Sequence, residues 1–201
     1  METNENFLGL TSTDIESKLI PPAPFYFNPS RVKAIVLGAD PSNFSDNGKT
    51  KQLSKVFGIG DGDTRYFMGI LNNLREVGLH LEDIYADNLI NDYLSSDTTT
   101  NKTWEKTAEQ YLKSCMARLD KIDRHKKLPV LVTAERIYKF LITSRPVKPG
   151  DIYSNPENIP ILPGDNKLLR PLIPFFRNRD YSLTSPNWAS YRARISSFFN
   201  C

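Results

Sequence analysis

The chain has 201 residues, of which 39% are hydrophobic, 24% charged and 11% aromatic, with a formal net charge of +3. That length and balance predict a single globular domain over residues 1–201, with 1–30 as an extended lead-in. No apolar run approaches the ~20 residues of a membrane helix, "METNENFLGL" lacks the basic-then-apolar pattern of a secretory signal, and two cysteines, Cys115 and Cys201, are too few for a disulfide framework or a four-cysteine metal site. A cytoplasmic protein without a membrane partner is the expectation.

In chain order, the prolines of "PPAPFYFNPS" exclude helix up to residue 30. "VKAIVLG" (Val32 to Gly38) is a β-branched apolar run closed by glycine and predicts a buried strand. The polar, glycine-bearing stretch to Gly62 predicts a long functional loop. Asp63 is a candidate cap for a helix through "TRYFMGILNNLREVG", with Phe67, Ile70, Leu71 and Leu74 on its inner face and Gly78 as its stop. "DIYADNLI" (Asp83 to Ile90) predicts a second strand. The following helix has Trp104, Ala108, Tyr111, Leu112, Cys115 and Leu119 as its inner face. "PVLVTA" (Pro129 to Ala134) predicts a third strand running into the helix "ERIYKFLI". The proline-rich stretch 146–171 predicts loop, with a short extended piece near Ile159 to Leu162. "LIPFF" predicts a fourth strand and "NWASYRARISSFF" a C-terminal helix. Strand and helix alternate throughout, which predicts an α/β fold: a three-layer αβα sandwich around a central, mostly parallel four-stranded sheet. Ligands of such sheets bind beyond the carboxyl ends of the strands.

Asp40, Asn88 and the "RNRDYS" segment fall at such ends, and three residues in all bear chemistry. Pro41 restricts Asp40 to extended geometry, so its carboxylate has a fixed direction. It can orient water or stabilise a developing cation, or it can close an Asx-turn. Phe57, between small and flexible neighbours in "KVFGIG", can lie against a planar ligand or pack in the core. Asn88 in "YADNLI" offers a donor and an acceptor, suited to one edge of a base or to local backbone groups. Further on, Lys167, Arg170, Arg177, Arg179, Arg192 and Arg194 are opposed within their own segment only by Asp180. Such a cluster predicts either a track for a phosphate backbone or a solvated surface. The "DGD" at 61–63 is no EF-hand loop, "GIGDG" is no P-loop, and His80 and His125 do not cluster with other ligands, so no metal or cofactor is expected.

"GADPSN", "VFGIG", "ADNLI" and "PFFRNRDYSL" in this order resemble the uracil-DNA glycosylase superfamily, over Val32 to Phe199. The resemblance implies that fold, DNA as partner, a monomer, and cofactor-free hydrolysis of the bond between uracil or a related base and its sugar. It implies that Asp40 orients the hydrolytic water, that Phe57 stacks on an extruded base and that Asn88 reads its pairing edge, with Ala39 and Ser42 beside it. It places Asn178 where the family presents the histidine that stabilises the departing base. Arg177, Arg179, Ser182 and Leu183 then face DNA, Leu183 as a wedge in the base stack. Ser42 stands in place of a family tyrosine and Asn43 in place of a histidine, which opens the pocket beyond strict uracil selectivity. A catalytically impaired DNA- or nucleobase-binding protein on the same fold is the alternative, and a hydrolase of free nucleotides a third reading.

Overall fold

The computed structural model describes residues 15–16, 18–42, 50–61, 65–144 and 146–199. Its centre is strand β1 (Ala34–Gly38), whose five residues are all buried, as a strand covered on both faces requires. Strands β2 (Ile84–Asn88), β3 (Val130–Val132) and β4 (Leu172–Pro174) complete a four-stranded sheet of order β2-β1-β3-β4. All pairings are parallel, with Gly38 opposite Asn88 and Leu37 opposite both Asp87 and Val132.

Helices α1 (Arg65–Glu76), α2 (Trp104–Ile122), α3 (Glu135–Leu141), α4 (Pro149–Ser154) and α5 (Ala189–Ser196) flank this sheet. Helix α1 buries Phe67, Ile70 and Leu74, with Leu71 half-buried. It ends where Gly78 adopts φ 78° and the Leu79 N–H donates back to the Leu74 carbonyl at 2.9 Å, a reversal that glycine makes without a Cβ clash. The expected cap, Asp63, lies outside the described residues. The apolar stripe of α2 is as its spacing predicts, except that Leu112 is half-buried and Thr107 joins the buried face.

Two expectations are corrected. The stretch 146–171 is not all loop: α4 starts within it at Pro149, because proline in a first helical turn has no bond to lose and a φ already suited to the helix. The basic cluster is not a continuous phosphate track either. Arg170 is 1% exposed and donates to Asp123 at 2.5 Å and Asp120 at 2.7 Å. Lys167 pairs with Glu109 and Arg192 with Glu76, while Arg194 donates to the Ile159 carbonyl. These partners are remote in sequence, so the segment's own shortage of acids says little about its charge after folding.

The strand order sends the chain from β1 outward to β2 and then back across β1 to β3. With right-handed crossovers, this reversal puts α1 and α2 on opposite faces and opens a crevice at the carboxyl ends of the central strands. No helix among the described residues is long and apolar enough to cross a membrane.

Candidate functional site

A cavity of about 210 Å³ occupies this crevice. Each strand contributes to its wall: Gly38 to Ser42 after β1, Asn88 at the end of β2, Thr133 to Arg136 after β3 and Arg177 beyond β4. The loop between β1 and α1 adds Leu53 and Phe57, and the loop between β2 and α2 adds Thr98 and Thr99. Ala39, Asp40, Ser42, Phe57, Asn88 and Arg177, separated by up to 138 positions, therefore share one wall, as the parallel topology demands.

Asp40 closes the Asx-turn and is also held by donors from beyond its own loop. Its Oδ1 accepts from the Ser42 N–H at 3.0 Å, closing the Asx-turn. Its Oδ2 accepts from Thr98 Oγ1 at 2.7 Å and from the Trp104 indole N–H at 2.9 Å. The carboxylate is thus held from its own loop and from the start of α2. Ser42 is less available than its position implies, because its hydroxyl accepts from the Leu94 N–H at 2.8 Å.

Asn88 is 1% exposed, and its Oδ1 is buried without a hydrogen-bond partner among the described residues. Its main chain is tightly held: the N–H donates to Asp87 Oδ1 at 2.8 Å and the carbonyl accepts from Arg118 at 2.7 Å. Arg118 also pairs with Asp87 at 2.8 Å, and the Tyr85 hydroxyl donates to the same carboxylate at 3.1 Å. Burial raises the pKa of that phenol, as does Asp87, so it remains a donor. Nearby Cys115 is fully buried, and that burial pushes its thiol up to about 12, away from the reactive thiolate.

Phe57 is 9% exposed, lines the cavity and stacks on Phe67 at 6.1 Å between ring centroids. Its φ of 62° is a conformation bulky residues avoid. Gly38 makes room for this arrangement. A Cβ there would lie 2.2 Å from Asn88 Oδ1 and 2.8 Å from the Phe57 ring.

The remaining candidates lie apart from this wall. Asn178 and Arg179 are exposed around the single-turn 3-10 segment Arg179–Tyr181, and neither lines the cavity. The Ser182 hydroxyl pairs with that of Thr184 at 2.8 Å. Leu183 is not a wedge: it is fully buried, its N–H donates to Asn73 at 2.8 Å and its carbonyl accepts from Arg192 at 2.6 Å. Its side chain belongs to the apolar core. Asn43 lies outside the described residues. His80 and His125 precede β2 and β3, at the sheet end opposite the cavity.

Sequence reasoning missed Thr98, Trp104 and Arg136. Arg136 forms a two-point pair with Glu105 at 3.0 and 2.9 Å, donates to the carbonyls of Thr98 and Asn101, and lies 5.1 Å above the Trp104 ring. That pairing, the strongest influence on Glu105, lowers its pKa. The polar run "SSDTTTNKTW" was the available signal, since it follows a strand whose carboxyl end faces the crevice. No group of three or more His, Cys, Asp or Glu residues that could hold a metal occurs among the described residues. No protein-family model matches the sequence, and no curated protein matches it.

Proposed function

We propose that this protein is a DNA glycosylase of the uracil-DNA glycosylase type, hydrolysing the N-glycosidic bond of uracil or a related base without a cofactor. One observation carries this reading: Asn88, whose buried Oδ1 has no hydrogen-bond partner among the described residues, lines the same cavity as a fixed carboxylate and an aromatic ring. A buried acceptor without a donor is costly, on the order of 1–3 kcal/mol, and a ligand N–H on a planar base relieves that cost. Uracil presents an N–H between two carbonyls, which suits a carboxamide edge.

The cavity's charges favour a neutral ring over an anion. Asp40 and Glu135 line it against Arg177 and Arg136, the latter already paired with Glu105, so neither sign dominates. In the proposed reaction the base stacks on Phe57 and bonds to Asn88. The C1′–N bond breaks with its electron pair leaving on the base, while Asp40 stabilises positive charge at the sugar. Water then adds to C1′, and its proton passes through Asp40 to solvent or to the departing base. Extruding the nucleotide from a helix precedes these steps.

The test is alkali-induced strand cleavage of labelled oligonucleotides containing uracil, single-stranded or opposite A or G. Cleavage by the natural protein that disappears in Asp40→Asn supports the reading. Silence of the natural protein on every substrate rejects it. A second reading, a binder of DNA or nucleobases on the same scaffold, draws on the exposed position of Asn178 outside the cavity. Its signature is retained binding of uracil-containing DNA with no abasic product.

A further inference from the structure

We propose that Thr98 and Trp104 are positioning residues for Asp40, saturating one carboxylate oxygen so that water is held only by the other. This rests on the glycosylase reading of the cavity. Each carboxylate oxygen offers about two acceptor positions. Oδ2 receives two donors, the Thr98 hydroxyl at 2.7 Å and the Trp104 indole N–H at 2.9 Å. Oδ1 receives the Ser42 N–H at 3.0 Å, the one donor it has among the described residues. The acceptor position left for a water, and for its proton during attack on the sugar, therefore belongs to Oδ1.

The two donors are themselves fixed. Trp104 is fully buried at the first turn of α2, edge-on to Phe140 at 5.8 Å between ring centroids. Arg136 donates to the Thr98 carbonyl and lies over the indole, so a single guanidinium from α3 braces both. Thr98 and Trp104 contribute no proton to the reaction. They set the plane of the carboxylate and keep its second oxygen from competing for the water.

The test uses the full chain and two readouts. The first is kcat and KM for uracil excision by Thr98→Val, which keeps the side-chain shape without the hydroxyl, and by Thr98→Ser, which restores it. Thr98 is half-buried in a loop, so neither change threatens folding as Trp104→Phe does. Losing one donor to a charged group lowers kcat roughly tenfold or more at unchanged KM, and serine recovers most of the loss. The second readout needs no turnover: the indole N–H resonance of Trp104, one of two tryptophans, shifts in Asp40→Asn while that of Trp188 stays in place. A stationary Trp104 resonance overturns the inference, as does Thr98→Val with undiminished kcat or with a loss confined to KM. Absence of excision by the natural protein rejects the glycosylase reading and the catalytic role with it. The indole shift decides separately whether the carboxylate is held this way.

Discussion

Gly38 meets the site's tightest steric demand, because the Asn88 amide and the Phe57 ring both close over its missing side chain. Gly38→Ala must push one or both aside, with overpacking of about 1–3 kcal/mol. The expected result is a lower urea midpoint and weakened binding of uracil-containing DNA. Unchanged binding would separate Asn88 from ligand recognition. Phe57 adds a second local cost, of order 1–2 kcal/mol, by holding a left-handed backbone on a bulky residue. Phe57→Gly relieves this strain but removes the ring, so under the proposed function excision is expected to fall while stability changes little. Parallel rate and melting measurements check that ordering. Neither demand is visible in "KVFGIG" or "VLGAD", where glycine and phenylalanine fit an ordinary turn or core equally well.

Among the elements, the brace between α2 and α3 has a defined pH response. Arg136 lowers the Glu105 pKa below its ordinary 4.5, so the folded state favours the carboxylate. The resulting stability is present above pH 4.5 and is lost as pH falls through the lowered value. Melting curves between pH 3 and 6 are expected to show a smaller acid-side decline for Glu105→Gln than for the natural protein. An identical decline would exclude the brace as a source of acid sensitivity. Beneath β2, Arg118 compensates Asp87, which is 1% exposed. Arg118→Met strands that charge, with a loss of ~3–5 kcal/mol, measurable by urea denaturation. These pairs join residues 31 positions apart, and nothing in the local pattern of "SCMARLD" or "TAERIY" announces a partner.

Across the whole molecule, the positive charges divide into structural and exposed sets. Arg170 serves the interior: Arg170→Ala leaves Asp123 buried without its cation, for a loss of roughly 3–5 kcal/mol. Arg177 and Arg179 are exposed on the loop beyond β4. If each meets a phosphate, replacing both with alanine lowers the slope of log affinity against log salt by about 1.8 for duplex DNA. A titration across salt concentrations measures this, and an unchanged slope would place the DNA path elsewhere.

The apolar runs and helical periods of the sequence determined the alternation of strands and helices, the parallel sheet and the stop at Gly78, because burial and backbone sterics act over a few residues. They also marked Asp40 and Asn88 as residues at strand ends and Phe57 as a residue of the long loop after β1. Only the tertiary structure decided that these three share a cavity and that Oδ1 of Asn88 is buried without a partner among the described residues. It alone drew Leu183 and Arg170 inward and brought Thr98 and Trp104 to the Asp40 carboxylate, with Arg136 behind them. The physical reason is range. A hydrogen bond or ion pair forms where two groups meet in space, and across a parallel sheet that meeting is set by strand order, which no local stretch of sequence encodes.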